Sequence, residues 1–121
     1  MGYRMISRID LLNLFVKYGS CPLIHVHLED MEYPQYKKSD VKDLLRDFKV
    51  KRYVEEIADC DDRADDMRMY LRKNSVKAGY MKVPNHMMLI FLGKKNTLYC
   101  VDPGNKKIRV LPENIEYIVW W

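Results

Sequence analysis

His86-Met87-Met88-Leu89-Ile90-Phe91-Leu92 is apolar on both alternating faces once past the histidine. A strand of that kind has to be covered on both sides. Downstream, Gly93-Lys94-Lys95-Asn96 turns the chain and Thr97 to Asp102 forms a return strand, ended by Pro103-Gly104-Asn105. Lys107 to Leu111 and Ile115 to Trp121 supply a third and a fourth strand, with Trp120 and Trp121 locking the last one. The spacing of turns predicts an antiparallel meander.

Upstream the pattern is helical. Ser7 to Tyr18 reads as a first helix, with Ser7 and Asp10 as an approximate capping box and Ile9, Leu12 and Val16 as its apolar stripe, flanked by Phe15. Leu23 to Leu28 alternates and reads as a half-buried strand. Met31 to Lys38 reads as a loop, and Ser39 as the cap of a second helix whose stripe is Val41, Leu44, Leu45 and Phe48. Asp59 or Cys60 opens a third helix. Cys60, Ala64, Met67 and Leu71 share one face of it, and Asn74 to Lys82 then returns to the sheet. The expected fold is α+β: N-terminal helices on a C-terminal antiparallel sheet of about four strands, one domain over residues 1–121.

Composition narrows the function. The chain is 48% hydrophobic and 31% charged, with no run near the length of about 20 apolar residues that crosses a bilayer. The N-terminus lacks the apolar core of a secretory leader, so a cytoplasmic location is expected. Cys21, Cys60 and Cys100 form no CxxC pair, which leaves out a zinc ribbon and a disulfide framework. Cys21 and Cys100 read as small buried hydrophobes. The net charge of +4 is carried by scattered pairs such as Lys37-Lys38, Lys94-Lys95 and Lys106-Lys107, the usual look of a solvated surface. Nucleic acid or an acidic protein would suit that charge, and nothing in the sequence selects either.

Three residues carry chemistry. Cys60 sits at a helix start, where backbone N–H groups favour a thiolate. Asp59, Asp61, Asp62, Asp65 and Asp66 crowd the same turns; the helix dipole accounts for them, but they oppose ionisation of the thiol, so a nearby imidazolium is needed. His86 opens a strand and Asp102 closes the next. A thiol nucleophile, a base and an acid that orients the base need these residue types. Register decides whether the last two meet. A three-residue loop, Gly93-Lys94-Lys95, would pair Leu92 with Asn96 and set His86 opposite Asp102. A four-residue loop would set Asp102 against Met87, facing away. Asp102 before Pro103-Gly104 equally suits a turn-initiating aspartate. His25, His27 and Glu29 alternate on one strand face and would offer a metal two imidazoles and a carboxylate, though a solvent face is the plainer reading; no metal or other cofactor is expected.

The run Asp59-Cys60-Asp61-Asp62-Arg63-Ala64, then His86-Met87-Met88-Leu89, then Tyr99-Cys100-Val101-Asp102-Pro103 resembles the Cys-His-Asp pattern of the transglutaminase-like and papain-like cysteine hydrolases. It is most similar to small phage and bacterial domains of that superfamily, some of them lectin-like. The likeness runs from Tyr53 onward and departs from the pattern at Arg63, Met87 and Leu89. It implies a papain- or transglutaminase-like fold, and a cysteine hydrolase or acyl-transferase, of phage or other mobile-element type, acting on peptide or other amide-type bonds. Cys60 would be the nucleophile, His86 the base and Asp102 its orienter. The backbone N–H of Cys60 would donate to the oxyanion with Tyr53 as a weak second donor, and Asp59 and Arg63 would contact substrate. A non-catalytic module on the same scaffold, engaging a host macromolecule or a glycan, is the alternative.

Overall fold

The computed structural model describes residues 5–18, 22–50 and 60–120, and the side chains of all of these except Cys60. Strand β5 (His86–Leu92) lies inside a six-stranded sheet of order β2-β8-β4-β5-β6-β7, completed by β2 (Val26–Leu28), β4 (Gly79–Val83), β6 (Leu98–Val101), β7 (Ile108–Val110) and β8 (Tyr117–Trp120). Every residue from Met87 to Leu92 is buried, as a strand covered on both faces requires. Its even-numbered residues Met88, Ile90 and Leu92 pack with Leu11 and Phe15 of helix α1 (Arg8–Tyr18) and with Trp120. Its odd-numbered residues Met87, Leu89 and Phe91 pack with α2 (Lys38–Arg46) through Val41 and Leu45, and with α3 (Cys60–Lys73) through Ala64, Met67 and Leu71. The α+β class holds, with helices on both faces of the sheet.

Several expectations are corrected. The sheet has six strands, not about four. The chain from Gly79 to Val83, expected only as a return segment, is the strand between β5 and β8. The meander holds for β5, β6 and β7. The last strand then crosses back to pair antiparallel with β4 and parallel with β2, so the sheet is mixed. Leu23 to His25 forms a turn of 3-10 helix, and the strand begins only at Val26. Glu32–Pro34, expected as loop, is strand β3 and pairs with β1 (Met5–Ser7).

Helix α1 buries Leu11 and Phe15, while Ile9 and Val16 are 69% and 59% exposed, so the apolar stripe is displaced from the expected one. Ser7 caps as expected, its Oγ accepting the Asp10 N–H at 3.1 Å. Helix α2 starts one residue before Ser39, from Lys37, without a side-chain cap. Helix α3 buries the predicted stripe as far as it is described: Ala64, Met67 and Leu71 are all fully buried.

Trp120 anchors the sheet's last strand. Its ring meets Tyr33 edge-on at 5.0 Å, and the Tyr33 hydroxyl donates to the Trp120 carbonyl at 2.9 Å. Trp121 lies outside the described residues. Gly79 is dictated by this packing, because a Cβ there would stand 2.6 Å from Trp120 Cγ.

Candidate active site

The site is built at the end of the sheet where β5 begins. Pro84-Asn85 forms the tight turn from β4 into β5, with Asn85 in the left-handed region at φ 61°, which asparagine tolerates better than most residues. Val83 pairs with His86, so the histidine is the first ladder residue of its strand.

Neither anticipated register between β5 and β6 occurs. Leu92 pairs with Leu98 and Leu89 with Val101, across a five-residue connection from Gly93 to Thr97. The connection is longer because Lys94–Asn96 coils into a 3-10 turn, with Lys95 and Asn96 at positive φ, and the Gly93 N–H bonds to the Thr97 carbonyl at 2.7 Å. Relative to the three-residue loop the pairing has slipped by two positions. An even slip preserves the face. Asp102 thus lies diagonally from His86 rather than opposite, on the same side of the pleat.

That diagonal is short enough. His86 Nε2 lies 3.2 Å from Asp102 Oδ2, with the two side chains 34% and 27% exposed. The nitrogen is shielded from solvent, and its N–H is not aimed closely enough at the oxygen to form an aligned hydrogen bond. The contact is therefore a close approach of ring and carboxylate rather than an aligned hydrogen bond. The other carboxylate oxygen, Oδ1, accepts the Gly104 N–H at 2.7 Å. The Asp102 main chain is fixed as well: its N–H donates to Lys107 O at 3.1 Å and its carbonyl accepts the Lys106 N–H at 2.8 Å. The turn role and the histidine contact, which compete as readings of the sequence, fall to separate oxygens of one carboxylate.

Helix α3 reaches the same corner. A Cβ placed on Gly104 would lie 3.1 Å from Asp102 Oδ1 and 3.7 Å from both terminal nitrogens of Arg63. Arg63 stands one helical turn after Cys60, and residues three apart share a helix face. By strand alternation His86 belongs with Met88 and Ile90, while α3 packs on Met87 and Leu89. The backbone of Cys60 opens α3, with Asp61 and Asp62 in its first turn. The Cys60 side chain, Asp59 and Tyr53 lie outside what is described, as does Cys21.

The remaining candidates separate clearly. Cys100 is buried at 1% exposure and its Sγ donates to Val110 O at 3.4 Å. Burial chiefly pushes its thiol up to about 11, Asp102 adding to the rise and Arg109 opposing it. The His25-x-His27-x-Glu29 face does not form, because His25 sits in the 3-10 turn. Among the described residues no group of three His, Cys, Asp or Glu side chains is arranged to hold a metal ion, and no helix is long and apolar enough to cross a membrane. Gly104 was not singled out from sequence; its place after an Asp-Pro pair was the available signal.

No protein-family model and no curated protein matches the chain. Among solved structures it is similar to one described as "PSL1a-E64 complex", with a TM-score of 0.77 and 14% identity over 95% of this chain. The chain spans half the length of that one. The likeness shows a shared fold.

Proposed function

We propose that the protein is a cysteine-dependent hydrolase or acyl-transferase of papain- or transglutaminase-like fold, with Cys60, His86 and Asp102 as its reacting and orienting groups. The observation that supports the reading is the 3.2 Å approach of His86 Nε2 to Asp102 Oδ2 at the corner reached by the first turns of α3.

Because Nε2 faces the carboxylate, Nδ1 is the nitrogen that takes the thiol proton. The Cys60 thiolate attacks a carbonyl carbon of an amide or ester-like bond and forms a tetrahedral oxyanion. The oxyanion collapses to a thioester as His86 returns the proton to the leaving amine or alcohol. Water, or an amine in acyl transfer, then attacks the thioester while His86 accepts its proton. The product leaves and the thiol is restored. Asp102 holds the ring in the required tautomer and stabilises the imidazolium. The N–H of Cys60 at the helix start is the oxyanion donor. Protein or peptide is the substrate class, and E64, named with the structural neighbour, is the first ligand to try.

The test is a screen of peptide amides, esters and thioesters with the wild type and Cys60→Ala, read by product formation and by intact mass. A Cys60-dependent acyl adduct and turnover are expected. Binding of a host macromolecule or glycan that is identical in wild type and Cys60→Ala, with no adduct, would establish the non-catalytic alternative instead.

A further inference from the structure

Lys38 and the pair Lys106-Lys107, far apart in sequence, come together in space. Helix α2 carries charges of both signs. Asp40, Asp43 and Asp47 line one groove, against Val76 and Asn74. Lys38 and Lys42, four residues apart, line another, and facing them are Lys106, Lys107 and Arg109 from the β6–β7 turn and β7. This second groove has a volume of about 290 Å3; its lining holds five cationic side chains, one apolar residue, Ile108, and no carboxylate.

The groove is held in shape by its own residues. Lys106, at φ 62°, donates from Nζ to the carbonyls of Phe48 at 2.9 Å and Arg46 at 3.4 Å, which ties the turn to the C-terminal end of α2. Lys38 rests 5.5 Å above the ring of Tyr99. Among the described residues Lys38, Lys42, Lys107 and Arg109 have no carboxylate within ion-pair distance. Four like charges facing one cleft repel one another, and an anionic occupant relieves that.

We infer that this groove binds a short acidic segment of a protein partner. Its size suits two or three side chains rather than a folded surface. Sites for single-stranded nucleic acid combine cations with aromatic rings on which the bases stack, and no aromatic residue lines the groove. The apolar side chain of Ile108 in the lining suits the methylene groups of glutamate. The inference stands without the hydrolase reading, since it concerns binding alone.

The test is fluorescence anisotropy with labelled hexaglutamate, hexaglutamine and oligothymidylate at low ionic strength. Wild-type protein is expected to bind hexaglutamate in preference to both others, with affinity falling as salt rises. Lys38→Glu with Lys42→Glu is expected to weaken binding by about tenfold, as is Lys107→Gln with Arg109→Gln, which keeps the inference testable if one variant misfolds. The control Lys73→Glu with Lys94→Glu makes elsewhere the same change in net charge as the Lys38 and Lys42 variant, twice that of the other, and is expected to cost less than about threefold. Equal losses in control and groove variants would overturn the inference, as would oligothymidylate binding tighter than hexaglutamate.

Discussion

Asp102 shows how one side chain can meet two demands. Its Oδ1 closes the turn on Gly104 and its Oδ2 approaches His86. Asp102→Asn keeps an acceptor for the turn and removes the charge. Its stability, measured by urea denaturation, should therefore fall by less than about 1 kcal/mol; under the proposed function, turnover should drop sharply. Asp102→Ala loses the turn bond as well and should cost about 1 kcal/mol more in the same measurement. Cys100 supplies the opposite case. With its thiol pushed up to about 11 by burial, only on the order of one part in ten thousand is thiolate at pH 7. Mass mapping after brief iodoacetamide treatment should leave it unmodified; rapid labelling of Cys100 would contradict the burial described here. The order Cys, His, Asp is legible in the sequence; that the last two share one side of the sheet is not, since the sequence leaves two registers open and the observed one is a third. The register is hidden because lysine at Lys95 gives no sign of a left-handed backbone, and the length of the connection follows from it.

At the scale of elements, legibility followed burial pattern. The double-faced apolar run of β5 and the stripe of α3 predict their own packing, and both were found. Strand β4 was missed because Gly79 and Lys82 interrupt its apolar pattern. The glycine is there for Trp120 and the lysine pairs with Glu116 at 3.4 Å, two tertiary facts with no local signature. In α1, Ile9-Leu12-Val16 and Leu11-Leu14-Phe15 are two helical stripes of similar spacing, and only the position of the sheet selects the second. Gly79→Ala should destabilise the protein by about 1–3 kcal/mol, since the added methyl meets the indole and the Val119 carbonyl. Leu71→Ala, which empties a fully buried position between α3 and the sheet, should cost about 2–5 kcal/mol. Both follow from denaturation midpoints. A neutral Gly79→Ala would mean that Trp120 does not pack as described.

For the whole molecule, the titrations of buried groups set a direction. Burial raises Tyr33 from 10.0 to about 12 and, with help from its hydrogen bond to Asp65, raises Tyr80 to about 12; Cys100 rises from 9.0 to about 11. The fold favours the protonated form of each. The stability they contribute is complete below their unfolded values and is lost as pH climbs through the folded ones. Lys77 acts in the opposite sense, since burial lowers its pKa. Three groups against one predict that the urea midpoint declines between pH 9 and 12; Tyr33→Phe and Tyr80→Phe should each flatten the decline. A midpoint that holds level to pH 12 would contradict the burial of these hydroxyls and of the Cys100 thiol. The basic groove also belongs to this scale. Its parts, Lys38 with Lys42 and Lys106 with Lys107, are visible in the sequence, but their convergence depends on α2 lying beside the β6–β7 turn.

The same holds for the proposed nucleophile, which the chain must carry from the start of α3 to the ring at the start of β5. The pH profile of Cys60 alkylation by iodoacetamide, followed by peptide mass in wild type and His86→Ala, tests that meeting most directly. The account predicts rapid labelling of Cys60 near neutral pH, and in His86→Ala a rate at least about tenfold slower, with its midpoint moved up toward that of an ordinary thiol near 8.5. A Cys60 that reacts in the wild type no faster than free cysteine, or whose rate and midpoint are unchanged by His86→Ala, would contradict it.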